Sequence, residues 1–119
     1  MSDEKTIERG WTWFFWAAAI FNFAIGVAGM FAATPSVDSR VIGILVFGFG
    51  IVYALVARDP ARFAPCLWAG IFGKVGVVAL LGPGSFGAAG SALISAVLVA
   101  DALFAAGFLL FLLARGERE

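Results

Sequence analysis

Three polar residues stand in the middle of long apolar stretches of this sequence: Asn22, Lys74 and Asp101. A lysine and an aspartate can exchange a proton as a bound molecule enters or leaves, and an amide can both donate and accept hydrogen bonds. Tyr53 adds a hydroxyl, which we expect either to join these groups or to lie in an aromatic belt at a membrane surface. These four residues are the candidate ligand-binding or proton-coupling residues.

Lys74 and Asp101 are the two charged members of this set, and apolar residues surround both. A charged side chain at the centre of a membrane helix costs about 2.5 to 3.5 kcal/mol on insertion scales, so neither is expected to face lipid without a partner. The sequence therefore predicts that they form an ion pair, with Asn22 at the same depth. A static pair that only fixes the register of the helices is the alternative to a functional one.

The stretches that carry these residues are long enough to cross a bilayer. The chain is 62% hydrophobic and 13% charged, with a mean hydropathy of +1.01, and about 20 apolar residues in a helix span the hydrocarbon core. The predicted spans are 11–33, 41–57, 63–81 and 88–113. They predict an all-α integral membrane protein of a single domain, a four-helix bundle that runs antiparallel in up-down-up-down order.

Turn-forming residues separate the four spans. The predicted loops are 34–40, 58–62 and 82–87, which are rich in Pro, Gly, Ser and Asp. Asp59 followed by Pro60 is typical of the N-cap and first residue of a helix, here the third span. Because the loops are short, consecutive helices are expected to lie side by side.

The distribution of basic residues predicts the orientation of the chain. Lysine and arginine are retained on the cytoplasmic side of membrane proteins. The loop between the first two spans carries Arg40 alone. The N-terminus, the middle loop and the C-terminus together carry six basic residues: Lys5, Arg9, Arg58, Arg62, Arg115 and Arg118. Both termini are therefore predicted to be cytoplasmic. The four tryptophans are expected to anchor the helices at that surface.

Small residues predict where helices approach each other closely. Gly26 shares a helix face with Asn22, and the second span contains Gly43, Gly48 and Gly50. In the fourth span small residues recur every four positions at 87, 91 and 95 and at 88, 92, 96 and 100. This fourth helix could support a homodimer or pack within one chain.

Several classes of function are disfavoured by composition. Eight basic and eight acidic residues cancel, so no nucleic acid partner is expected. There is no histidine, and Cys66 is the one cysteine, so no metal and no cofactor is predicted. The sequence contains neither a Gly-x-Ser-x-Gly elbow nor a phosphate loop. We therefore expect a protein that is not an enzyme.

The remaining hypotheses are two. The first is a multi-pass protein in a lipid bilayer that binds or moves a small or lipophilic molecule through its midplane polar centre. The second is a structural or accessory subunit of a larger membrane complex, without catalytic activity, in which Lys74 and Asp101 form a static ion pair.

A few short segments carry a family resemblance. Phe21-Asn22 followed by Gly26, residues 53–60 with the sequence YALVARDP, and Gly73-Lys74 resemble the small four-span bacterial membrane proteins of unknown function that are loosely grouped with DoxX-like proteins. The resemblance extends from the first span into the third. It implies a four-helix bundle in a bacterial cytoplasmic membrane, and it implies no settled activity.

Overall fold

The chain is helical throughout the part that the computed structural model describes, which comprises residues 2–31, 36–85 and 92–118. Five α-helices and one short 3₁₀ helix follow each other along the sequence, and these residues contain no β-strand. The elements are α1 (Ser2–Met30), α2 (Val37–Arg58), α3 (Pro60–Phe63), the 3₁₀ helix (Ala64–Cys66), α4 (Leu67–Ser85) and α5 (Ala92–Arg118). The predicted all-α fold is confirmed.

Four of these helical segments are long and apolar enough to cross a membrane. They are Arg9–Met30, Val37–Arg58, Pro60–Gly84 and Ala92–Arg115. Their apolar side chains are widely exposed on the protein, and Phe72 and Leu80 are each more than 80% exposed. In a bilayer such surfaces contact lipid instead of water. The chain is therefore a multi-pass membrane protein, and the orientation of its termini stays a prediction.

Helix α2 begins four residues before the predicted start at 41. Ser36 is its N-cap, and the Ser36 hydroxyl accepts a hydrogen bond from the Ser39 backbone N–H at 3.0 Å. The Ser39 hydroxyl in turn accepts one from the Ser36 backbone N–H, also at 3.0 Å. This reciprocal capping satisfies N–H groups that a helix start leaves free. Serine and aspartate favour both loops and helix starts, so the predicted loop extended too far.

The third span starts as predicted but is interrupted. Asp59 caps α3 by accepting a hydrogen bond from the Arg62 backbone N–H at 3.3 Å, and Pro60 is at the start of the helix. Pro65 lies in the 3₁₀ helix that separates α3 from α4. Proline has no backbone N–H and crowds the preceding turn, which accounts for the change of helix type there.

Helix α4 extends further than the sequence suggests. The predicted loop at 82–87 is wrong for its first part, because Gly82, Pro83, Gly84 and Ser85 complete the last turn of α4. Pro83 removes one backbone donor from this turn, and its ring crowds the carbonyl four residues earlier. Positions 87, 88 and 91 of the predicted small-residue ladders lie outside the described residues.

The chain divides into two compact units, Met1–Ala64 and Pro65–Glu119. In the first unit α1 and α2 run antiparallel, and their backbones touch at glycines. A methyl group on Gly26 would lie 2.7 Å from the backbone N of Phe47, and one on Gly43 would lie 2.7 Å from the carbonyl oxygen of Gly26. Only residues without a side chain permit this approach, which is typical of membrane helices.

In the second unit α4 and α5 present both a buried and a lipid-facing side. Along α5 the buried side chains are Leu98, Ala105, Phe108 and Leu112. They recur at intervals of three, four and seven residues, which places them on one face of the helix. Leu103 and Leu110 are 66% and 62% exposed on the other side. This second unit holds the two charged residues of the candidate site.

Candidate functional site

An ion pair joins the two helices of the second unit near the middle of their membrane spans. Lys74 Nζ on α4 donates a hydrogen bond to Asp101 Oδ1 on α5 across 2.6 Å. Lys74 lies ten residues before Gly84, the end of its span, and Asp101 lies nine residues after Ala92, the start of the next. At 1.5 Å per residue each charge is about 14 Å from that end of its helix. The predicted pairing is thus present in the structure, at the predicted depth.

The Lys74 ammonium also lies against an aromatic ring. Its Nζ is 5.5 Å from the centroid of the Phe104 ring, within the range of a cation–π contact. Phe104 in turn stacks on Phe108, with ring centroids 6.4 Å apart. Phe104 follows Asp101 by three residues, so carboxylate and ring lie on the same side of α5 and meet the same lysine. Both groups offset part of the cost of holding a cation at this depth.

The two charged side chains differ in exposure. The Lys74 side chain is 6% exposed and that of Asp101 is 13% exposed. Around α5, Leu98 and Ala105 lie to one side of Asp101 and are buried, whereas Val97 and Phe104 lie to the other side and are half-buried. Successive residues turn by about 100° in a helix, which separates these two sides. Asp101 therefore sits at the border between a buried and a partly open surface of α5.

Asn22 makes a different kind of helix contact, within the first unit. Its side-chain amide donates a hydrogen bond to the backbone carbonyl oxygen of Val46 on α2 across 3.1 Å, and the residue is 5% exposed. A carboxamide that bonds a neighbouring backbone is a common way to join membrane helices. Asn22 is thus a direct link between α1 and α2, next to their glycine contact.

Tyr53 is also in the first unit, on α2, and is 1% exposed. Its ring centroid lies 6.3 Å from that of Phe49. Trp13 and Trp68 differ from it, with exposures of 73% and 53%. Exposed indoles are the side chains that contact the membrane interface. Tyr53 lacks that exposure.

The structure brings two of the four candidate residues together, Lys74 and Asp101. Asn22 bonds Val46, and Tyr53 is buried on α2. That Asn22 and Tyr53 share one site with the ion pair stays a prediction. Among the described residues no cluster of three or more Asp, Glu, Cys or His side chains could hold a metal. Cys66 is a free, exposed thiol.

Two features of the site were missed by reasoning from sequence. The contact between Lys74 and the Phe104 ring was not foreseen, although the three-residue interval from Asp101 to Phe104 would have signalled it. The sequence predicted only general close packing around Gly43, whereas in the structure the backbone of Gly43 on α2 contacts that of Gly26 on α1. Gly48 was included in that close packing, and a methyl group there would touch nothing within 4 Å.

The arrangement can perform limited chemistry. A carboxylate and an ammonium in contact can exchange one proton, and each can exchange its hydrogen bond for one with a bound molecule. Because water is scarce at this depth, such exchanges would be coupled to whatever enters the site. No family model, no curated protein and no solved structure matches this chain. The resemblance to DoxX-like proteins stays a prediction.

Proposed function

We propose that this protein binds or moves a small or lipophilic molecule at the Lys74–Asp101 pair. The observation that carries the proposal is the location of the pair: both charges lie near the middle of their membrane spans, and the Asp101 side chain retains 13% exposure. Ionisable residues at this depth are rare because they are costly, and they commonly mark pathways for substrates or protons. An apolar exterior gives the ligand access from the acyl-chain region of the bilayer.

Native mass spectrometry of the protein released from mild detergent tests this proposal. The wild-type protein should carry a discrete added mass, and Lys74→Met combined with Asp101→Leu should lose it. The double substitution removes both charges together, so it leaves no charge unpaired. Gly48→Ala is the matched control, since a methyl group there meets open space, and it should retain the added mass. Identical spectra for wild type and the double variant would contradict the proposal.

The second candidate function is that of an accessory subunit in a larger membrane complex, with a static ion pair. It is favoured by the closed geometry of the pair, in which Lys74 is only 6% exposed and the contact is 2.6 Å. In this case a partner protein should copurify at fixed stoichiometry after chemical crosslinking in the membrane. The double charge variant should retain that partner, because lipid-facing surfaces and not the pair would bind it.

The proposal extends to location and assembly. The excess of arginine and lysine at the termini and in the segment 58–62 supports an orientation with both termini in the cytoplasm. The resemblance to DoxX-like proteins supports a bacterial cytoplasmic membrane. Ala92, Ala96 and Ala100 on α5 support a homodimer through this helix, because small residues let two backbones approach. The detergent-released mass reports whether the protein is a monomer or a dimer.

A further inference from the structure

One oxygen of the Asp101 carboxylate has no partner among the described residues. Lys74 bonds Oδ1, and Asp101 makes no second hydrogen bond or ion pair within this part of the chain. No buried side-chain nitrogen or oxygen of these residues is left without a hydrogen-bond partner. Oδ2 is therefore accessible at the protein surface. A carboxylate oxygen accepts hydrogen bonds and donates none, so it requires a donor.

We propose that Oδ2 of Asp101 binds the hydroxyl group of an uncharged lipophilic alcohol or phenol. This inference rests on the proposed function and names the ligand class of the same site. The pair of Lys74 and Asp101 is neutral as a whole, with one positive and one negative charge. A hydroxyl group supplies the missing donor and leaves this balance unchanged.

Charged ligands fit this position less well. A protonated amine would add a positive charge to a neutral pair, and a carboxylate would add a negative one. Either would leave an uncompensated charge within the hydrocarbon region, where no water is present to solvate it. An ether of the same shape remains uncharged but offers no donor to Oδ2. The site should therefore prefer the hydroxyl compound over the amine, the acid and the ether.

The surface beside Asp101 suits the apolar part of such a ligand. Val97 and Phe104 lie on the same side of α5 as the open border of Asp101, and both are half-buried. They offer an aliphatic and an aromatic surface without a further charge. A ligand arriving from the acyl chains would place its hydroxyl at Oδ2 and its apolar remainder along these two side chains.

Four probes with the same chain length test the ligand class: 1-dodecanol, its methyl ether, dodecylamine and dodecanoic acid. Each is added to the full-length protein in phosphatidylcholine nanodiscs, and the bound fraction is measured by native mass spectrometry. Each value is divided by that of the Lys74→Met, Asp101→Leu variant, which corrects for partition into lipid. This ratio should be about tenfold higher for dodecanol than for the ether, as expected for a hydrogen bond to a charged group.

The outcomes separate the ligand class from the function itself. Equal ratios for dodecanol and its ether, or a higher ratio for the amine or the acid, would overturn the proposed ligand class. They would not overturn the proposal that the Lys74–Asp101 pair is a binding site. Ratios near one for all four probes would overturn both.

A second pair of variants serves if the double charge variant does not fold. Val97→Phe narrows the open border of Asp101 and should lower dodecanol binding severalfold, whereas Leu103→Phe, on the lipid-facing side, should not. Equal binding by these two variants would also overturn the inference.

Discussion

Replacing Lys74 alone with methionine should destabilise the protein more than replacing both members of the ion pair. Lys74→Met leaves the Asp101 carboxylate at mid-membrane without the partner that now lies 2.6 Å away. Removing one member of a buried pair typically costs about 3 to 5 kcal/mol, whereas apolar replacement of both is often neutral. We expect about 3 kcal/mol for Lys74→Met and for Asp101→Leu, and about 1 kcal/mol or less for the double variant.

The coupling energy is the loss of stability in the double variant minus the two single losses. With these values it is on the order of −5 kcal/mol. Unfolding in mixed micelles of rising SDS content measures it, with the fluorescence of the four tryptophans as the signal. Leu80→Met and Leu103→Met are the controls, because both positions are widely exposed to lipid and should change little. If the two single losses simply add in the double variant, Lys74 and Asp101 do not stabilise each other.

Three further predictions concern the first unit and the orientation. Gly26→Ala should cost about 1 to 3 kcal/mol in the same unfolding assay, because its methyl group meets the α2 backbone, whereas Gly48→Ala should cost nothing. Asn22→Leu should lower the free energy of unfolding by about 1 kcal/mol, because its hydrogen bond to Val46 is lost. A loss as large as that of Lys74→Met would contradict the assignment of Asn22 to a simple neutral contact between helices. Reporter fusions should place Glu119 in the cytoplasm and Asp38 outside it; cytoplasmic signals from both would exclude the topology.

The number of helices could be predicted from sequence because it depends on hydropathy alone, but the ends of helices could not. Ser36, Asp38 and Ser39 are typical of loops, yet two of them form the cap of α2. Pro83 was expected to end α4 and instead lies within its last turn. In each case one residue type serves two local structures, and the choice depends on hydrogen bonds that a sequence does not display.

The site was predictable where one physical requirement admitted one solution. A lysine and an aspartate at equal depth in neighbouring helices have few partners other than each other, and Lys74 and Asp101 do pair. Asn22 had many acceptors available, since every carbonyl of an adjacent helix can serve, and the Val46 carbonyl could not be singled out. The rotation of α5 was equally invisible, so the open border of Asp101 appeared only in the structure.

The two units hold their helices together by different means, and this difference bears on why the charges are present. In the first unit, α1 and α2 are joined by backbone contact at Gly26 and Gly43 and by the neutral hydrogen bond from Asn22 to Val46. In a bilayer, such packing is sufficient to associate helices. An ion pair is a costly substitute, because desolvation of both charges offsets most of their attraction.

Helix association alone therefore gives no reason for Lys74 and Asp101, whereas the proposed binding role would account for them. The Lys74→Met, Asp101→Leu variant should therefore remain folded, with a stability close to that of the wild type, and should lose the proposed ligand. Loss of folding in this variant would show that the pair is required to hold α4 and α5 together, and would contradict the view that helix association does not account for the two charges.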